Sequence, residues 1–350
     1  MADPRPTLEA TLTEHWNRRG WLARLLWPLS LLFAAIVALR RALYARGVLT
    51  SSRLPVPVVV VGNVFVGGTG KTPLTIWLVD ALRRHGYTPG VISRGYGVEN
   101  ALPQPVMADS APQQVGDEPV LIATRANCPV MVGRDRVAAG RALLAAQPQV
   151  DIIVSDDGLQ HYALQRDVEI VLSDARGDGN GWLLPAGPLR EPAGRGRDFT
   201  VLNGGPAASG AVAAAGGPMF TMQLAGTSAE RLSDPTQRVA LAELAQLGRA
   251  GATILAAAGI GNPARFFTML RAAGLDFAPL PLPDHYDFSR NPFTGLRAEI
   301  ILITEKDAVK CRQIDTLNND PRLWVVPVAA QIDPALAEKI VEKCRGRKTA

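Results

Sequence analysis

The sequence predicts an α/β protein in which a parallel sheet flanked by helices is joined to a second, smaller α/β lobe and an N-terminal membrane-associated helix. Three observations carry this expectation. From about residue 56 onward, short apolar runs of strand length alternate with helical patterns, as parallel strands joined by right-handed crossovers require. The first of these strands runs into a glycine-rich turn ending in Lys71-Thr72. An uncharged apolar stretch, Leu25 to Leu39, lies ahead of it.

A length of 350 residues allows two domains of ordinary size, and 47% hydrophobic residues with 27 prolines and 33 glycines fit a globular chain with many short connections. Cys128, Cys311 and Cys344 are widely spaced and form no CxxC pair. That argues for a reducing compartment and against a structural zinc site. The net charge of +5 is local: residues 1–55 hold eight arginines against Asp3, Glu9 and Glu14, and the rest of the chain balances at 29 basic and 29 acidic residues. Nothing in the body reads as a nucleic-acid surface.

Arg24 on one side and Arg40, Arg41 and Arg46 on the other bracket the apolar stretch. Its length as a helix is about 22 Å, against roughly 30 Å of hydrocarbon in a bilayer. A signal peptide would end in small residues where Arg40-Arg41 stand. A core helix of the body is a second reading. Trp21, Trp27, Phe33 and Tyr44 beside the arginines favour a third, a retained interfacial anchor that dips into one leaflet or spans the bilayer.

Val58 to Val61 is a β-branched run suited to a buried strand, and after Pro73 the residues Leu74, Trp77, Leu78, Ala81 and Leu82 recur at helical spacing. Between them lie Val66, Gly67, Gly68, Thr69, Gly70, Lys71 and Thr72. Strand, glycine turn, Lys-Thr and helix make a phosphate-binding P-loop: backbone N–H groups wrap phosphates, Lys71 reaches the β/γ oxygens, and Thr72 offers a hydroxyl to Mg²⁺. The general pattern has glycine where this chain has Phe65.

The next strand, Thr88 to Ser93, ends in Arg94-Gly95-Tyr96-Gly97. Ligands collect at that end of an open α/β sheet, so Arg94 and Tyr96 either meet an anionic or ring-bearing substrate or form an ordinary turn. Asp117 and Glu118 open a helix, as partners of its dipole or, for Asp117, as a base. A strand at 129–132 and a helix at 135–146 follow. The strand Val150 to Ser155 then runs into Asp156-Asp157, the pattern that holds Mg²⁺ or its waters downstream of a P-loop. After a strand at Val168 to Ser173 comes a Gly/Pro/Arg-rich loop to Asp198, long enough to be functional, in which Arg190 and Glu191 are candidate substrate or metal contacts.

Strands are expected at 253–258, 277–282, 299–304 and 324–329, with Gly259-Ile260-Gly261-Asn262-Pro263 as a helix start. His285 follows a strand end, where a lone histidine is usually structural. The expected divisions are an N-terminal segment at 1–55, a P-loop core at 56–203, an Ala/Gly-rich loop at 204–218 and the second lobe at 219–350.

In order along the chain, GNVFVGGTGKTP (62–73), SRGYG (93–97), GDEP (116–119), SDDGLQH (155–161), LLPAGPLREP (183–192), PDHY (283–286) and TEKDAVK (304–310) closely resemble the tetraacyldisaccharide 4′-kinase family. The missing glycine at Phe65 is what that family looks like. The resemblance implies an ATP- and Mg²⁺-dependent kinase that phosphorylates the 4′-hydroxyl of a lipid A disaccharide precursor at the cytoplasmic face of the bacterial inner membrane, with no obligatory protein partner. It implies that Lys71 and Thr72 serve ATP and Mg²⁺, that Asp156 and Asp157 are the metal-side acids, and that Asp117 acts on the acceptor hydroxyl paired with His285. Asn63, Arg94, Tyr96, Arg136, Gln160, His161, Arg190 and Glu191 are similar to positions lining the headgroup or phosphate region. A P-loop hydrolytic switch and a non-catalytic nucleotide sensor are the competing classes.

Overall fold

A computed structural model describes residues 16–95, 102–204 and 216–345. At its centre lies β1, Val58–Gly62, buried at all five positions. Val59 and Val61 face one apolar cluster and Val58 and Val60 another, the period of two that a strand covered on both faces imposes. The chain continues through β2 (Pro89–Ser93), β3 (Gln104–Val106), β4 (Val130–Val132), β5 (Ile152–Asp156), β6 (Val168–Asp174), β7 (Phe199–Asn203) and β8 (Met219–Ala225). Then come β9 (Ser228–Arg231), β10 (Arg238–Ala240), β11 (Ile254–Ala258), β12 (Ala278–Pro281), β13 (Ile300–Thr304), β14 (Leu323–Val326) and β15 (Ala329–Ile332).

The first sheet runs β15-β8-β7-β6-β1-β5-β2-β4-β3, parallel except for its edge strands β3 and β15. The second runs β10-β9-β14-β13-β11-β12. Parallel pairing, expected in both halves, holds there for β11 to β14 but fails for β9 and β10. The turn between those two is too short for a crossover, so they pair as a hairpin. The expected start of the second lobe at residue 219 also shifts. Met219–Ala225 extends the first sheet beside β7, and β15 returns to pair with it.

The helix Lys71–Arg84 follows β1 and buries Leu74, Leu78 and Leu82 at four-residue spacing against the same face as Val59 and Val61. Each contributes about 2 kcal/mol by leaving water. The carboxyl-terminal helix Ala335–Arg345 adds Leu336 and Ile340 to that layer. On the opposite face lies the helix Arg136–Ala146, whose cap Asp135 accepts the N–H groups of Val137 and Ala138.

The amino-terminal helix runs from Trp21 to Ala45 and is, among the described residues, the one helix long and apolar enough to cross a membrane. It extends well beyond the uncharged stretch at both ends. One face docks on the body: Ala23 and Ser30 are buried, Trp27 stacks with Trp182, and Tyr44 with Tyr162. Ser30 Oγ donates to Leu183 O at 2.8 Å and accepts from Ala186 N at 2.9 Å. Trp21, Leu25, Leu29, Leu32, Ile36 and Leu39 are exposed on the other face, spaced three and four residues apart.

Ser30→Leu removes both hydrogen bonds at a buried point and strands two backbone groups, a loss of about 2 kcal/mol. Thermal melting in detergent should fall by several degrees, with faster tryptic cleavage at Arg40-Arg41; unchanged melting and cleavage would show that Ser30 does not hold the helix.

Candidate active site

The P-loop lies where β1 meets the helix Lys71–Arg84, between the carboxyl ends of β5 and β6. Gly67 and Gly70 adopt φ of 96° and 99°, which side-chain-bearing residues avoid, and a Cβ on Gly70 would sit 2.4 Å from Asn203 Nδ2. Asn203, at the end of β7, donates to Thr69 O at 2.7 Å. Asn63 is fully buried under the loop, donating its amide N–H groups to Phe65 O and Gly67 O and accepting Lys71 Nζ at its Oδ1 at 3.3 Å. Phe65 bridges to Leu189 beneath the Arg176 guanidinium, and Val66 N donates to Pro188 O. The residue that replaces glycine therefore anchors the loop to the LLPAGPLREP segment.

Asp156 and Asp157 end β5 with opposite electrostatics. Burial would raise the Asp157 pKa, but Lys71 at 3.6 Å, Arg190 at 3.4 Å and Arg136 outweigh it and hold it low. Asp156 is fully buried and, among the described residues, accepts only the hydroxyls of Thr75 and Ser93. Burial, with the charges of Glu118 and Asp157 nearby, pushes it well above the usual carboxylate range.

Asp117 begins the helix Asp117–Ala126 and points to the second lobe, where His285 Nδ1 lies 3.1 Å from its Oδ2 and Lys310 Nζ 3.5 Å from the same oxygen. Burial raises the Asp117 pKa, yet the His285 hydrogen bond and the charges of Lys306 and Lys310 bring it down to about 2. The pair borders a cavity of about 180 Å³ lined by Pro112, Gln113, Gly116, Asp287 and Lys310. His285 takes a left-handed φ of 56°, with its N–H held by Asp284 Oδ1 and Gly259 O.

The expected residues thus fall into two groups. Asn63, Lys71, Asp157, Arg136, Arg190 and Gln160 cluster at the P-loop; Gln160 donates to Asn63 O, and Arg136 to Gly133 O and Asp157 O. Asp117 and His285 form the second group, across the lobe boundary. Arg94 is exposed beyond β2, and Tyr96 lies outside the described residues. His161 is a neutral acceptor for Arg136 N: burial and then the Arg136 charge lower its pKa to about 4. Glu191 does not reach the site. It is buried and paired with Arg195.

Beyond His285, sequence reasoning missed the second lobe's contribution. The turn read as a helix start, Gly259 to Pro263, packs on the P-loop so closely that a Cβ on Gly261 would lie 2.9 Å from Gly68 N. From the helix that follows it, Arg265 pairs with Asp174 at 3.0 Å and reaches Thr69 O. Lys306 and Lys310 face Asp117, and their four-residue spacing at the start of a helix after a strand end was the available signal.

A P-loop on a parallel sheet, with acids ending the neighbouring strand and an Asp–His pair facing it across two lobes, defines a P-loop kinase class. A family model described as tetraacyldisaccharide-1-P 4′-kinase matches residues 22–345. The chain is 64% identical to a tetraacyldisaccharide 4′-kinase of Janthinobacterium sp. (strain Marseille), covering 100% of each chain, and 58% identical to one of Herminiimonas arsenicoxydans, covering 100% and 99%. Its fold is similar to that of LpxK from Aquifex aeolicus, solved in complex with ATP, with TM-score 0.75, 30% identity and coverage of 92% and 99%. The chain belongs to the tetraacyldisaccharide 4′-kinase family.

A raised Asp156 pKa means that folding favours its protonated form, a stabilisation complete below the ordinary carboxylate pKa and lost as pH rises through the folded value. A divalent cation competes with that proton. Mg²⁺ should therefore raise the melting temperature more at pH 8 than at pH 5.5, and Asp156→Asn should abolish the difference; equal Mg²⁺ shifts at both pH values would remove Asp156 from the cation site.

Proposed function

We propose that this chain transfers the γ-phosphate of ATP to the 4′-hydroxyl of tetraacyldisaccharide 1-phosphate, a lipid A precursor, at the cytoplasmic face of the bacterial inner membrane. The observation that carries this reading is the Asp117–His285 pair, whose neighbour Asp284 adjoins the Gly261 turn that packs on the P-loop. A hydrolytic switch needs the loop and its metal-side acids, whereas a carboxylate held toward a side cavity by a second lobe suits an acceptor hydroxyl.

The roles follow from the chemistry of each group. Backbone N–H groups of Val66 to Gly70 and the ammonium of Lys71 bind the β- and γ-phosphates. The acceptor oxygen forms its bond to the γ-phosphorus, the bond to the bridging β–γ oxygen breaks, and ADP leaves. Asp117 takes the hydroxyl proton as the new bond forms. Its low pKa suits a loose transition state, in which the hydroxyl stays largely protonated until late and the carboxylate chiefly aims it. Arg94, Arg136 and Arg190 supply positive charge for the phosphate-bearing headgroup, with Gln160 beside the P-loop; Tyr96 is assigned to the same headgroup from the sequence alone.

Among the described residues no group of three or more His, Cys, Asp or Glu side chains forms a metal cage. Mg²⁺ needs none, since it keeps waters and shares phosphate oxygens. Asp156 is a buried carboxylate without an ion-pair partner among the described residues, and Thr72 stands at the start of the P-loop helix, so the donor set fits. Thr72 and Asp156 would hold the ion, with Asp157 beside them. When bound it neutralises phosphate charge.

The amino-terminal helix supports an in-plane attachment. It touches the body from Ala23 to Tyr44, nearly its whole length, so the exposed stripe opposite lies parallel to the body surface. That arrangement fits a helix lying in one leaflet with Arg24, Arg40 and Arg46 at the anionic surface.

With labelled ATP and tetraacyldisaccharide 1-phosphate in detergent micelles, the wild type should label the lipid and Lys71→Ala should not. Asp117→Asn should lower turnover by about 10²- to 10⁴-fold with little change in the ATP KM. Labelled inorganic phosphate without labelled lipid would favour the hydrolytic switch. Replacing Leu25, Leu32 and Ile36 together by glutamate should weaken binding to anionic vesicles at least tenfold; undiminished binding would place the membrane contact elsewhere.

A further inference from the structure

Two lysines of the helix Glu305–Cys311 stand behind the Asp117–His285 pair. Lys306 Nζ lies 3.3 Å from His285 Nε2, 3.2 Å from Glu118 Oε1 and 3.7 Å from Asp284 Oδ1. Lys310 Nζ lies on the Asp117 side. The helix is fixed in turn by Asp307, which accepts Gly259 N at 3.0 Å and the Thr304 hydroxyl, locking the turn that leads to His285 onto the helix that carries both lysines.

An ammonium has three donors and no lone pair, so His285 Nε2 can meet it only as an acceptor. The carboxylate on the other side of the ring, Asp117 Oδ2, accepts only, so Nδ1 carries the hydrogen. We propose that Lys306 is a positioning residue that holds His285 as the neutral Nδ1–H tautomer, so that Asp117 faces the acceptor hydroxyl with a hydrogen-bonded rather than an ion-paired neighbour. A charged ring would form an ion pair with Asp117 and make it a weaker base. Lys306 opposes that charging, and Lys310 shares the Asp117 charge without hydrogen-bonding to it.

The groups facing the ring are Asp117 and Glu118 from the helix Asp117–Ala126, Lys306, Asp307 and Lys310 from the helix Glu305–Cys311, and Asp284 from its own segment. The Asp117 hydrogen bond, with the charges of Asp117 and Asp284, raises the His285 pKa above its ordinary value, and burial and Lys306 hold that rise in check. Removing Lys306 takes away an opposing charge and leaves Glu118 and Asp284 uncompensated, so the ring should protonate more readily. The inference rests on reading Asp117 as the base.

The test is nitrogen NMR of histidine-labelled full-length protein in detergent, with the His285 signals assigned by their loss in His285→Asn, alongside pH profiles of turnover. In the wild type above pH 8 the ring should be the Nδ1–H tautomer. In Lys306→Met the His285 midpoint and the acidic limb of kcat should both rise by about one pH unit, which makes turnover below the limb about tenfold lower. Lys306→Arg should restore both, and the ATP KM should hold steady. A wild-type Nε2–H tautomer overturns the inference even if Lys306→Met does not fold. So does an unmoved midpoint, or a loss of turnover equal at every pH, as a purely structural lysine would give. Asp117→Asn run in parallel separates the two readings: retained turnover would end the base assignment while leaving the effect of Lys306 on the His285 midpoint measurable.

Discussion

Charge pairing across the lobe boundary is the interaction on which this molecule's site depends. Asp117 meets Lys310, Glu118 meets Lys306, Asp174 meets Arg265, and Arg125 meets both Glu230 and Glu305. Most of these carboxylates are buried, and a buried carboxylate left alone costs several kcal/mol. The two apolar clusters of the second sheet draw no residue from the first. Val309 of the helix Glu305–Cys311 joins the apolar cluster of the first sheet, and around it complementary charge joins the lobes, a kind of interface that opens more readily than a wholly apolar one. Opening it exposes the carboxylates to water, which lowers the cost of separation.

The same pairing sets the chemistry of the carboxylates. Asp117 and Asp156 are both buried at element ends, yet their pKa values move in opposite directions because one meets cations of the second lobe and the other meets two hydroxyls and two anions. Environments that drive two carboxylates apart assign them different work. On the proposed function, Asp117 stays ionised for the acceptor hydroxyl, and Asp156 holds a proton that a cation can displace. Lobe closure matters for the first and not for the second, since Thr75, on the P-loop helix, and Ser93, at the end of β2, belong to the same lobe as Asp156.

Much of this was legible in local sequence. Val58–Val61 followed by a glycine turn, Lys71 and Thr72 requires a strand, a loop and a helix, and apolar runs ending in Asp156 or Ser93 mark the sheet edge where ligands gather. What stayed hidden depends on partners far along the chain. Phe65 is explicable only by its bridge to Leu189, Lys306 by Glu118 and His285, and Gly261 by the P-loop. β8 and β15 belong to the first sheet through pairing with each other and with β7, which no local pattern encodes. The amino-terminal helix was legible as apolar, but it is apolar all round. Which face docks is decided by Ser30 and its partners some 150 residues later.

That docking joins the ends of the molecule. The segment from Trp182 to Arg190 holds Ser30, Trp16 and Trp27 of the amino-terminal region at one end. At its other end Leu189 bridges to Phe65, Pro188 O accepts Val66 N, and Arg190 pairs with Asp157. A rigid run of fewer than ten residues therefore links the exposed apolar stripe to the phosphate loop. On the proposed in-plane attachment, with the stripe in the interface, the height of the P-loop above the bilayer would be fixed by the fold rather than by a linker. An acceptor that keeps its acyl chains in the membrane can then present its sugar hydroxyl at one depth only, and the kinase needs no lipid extraction to reach it.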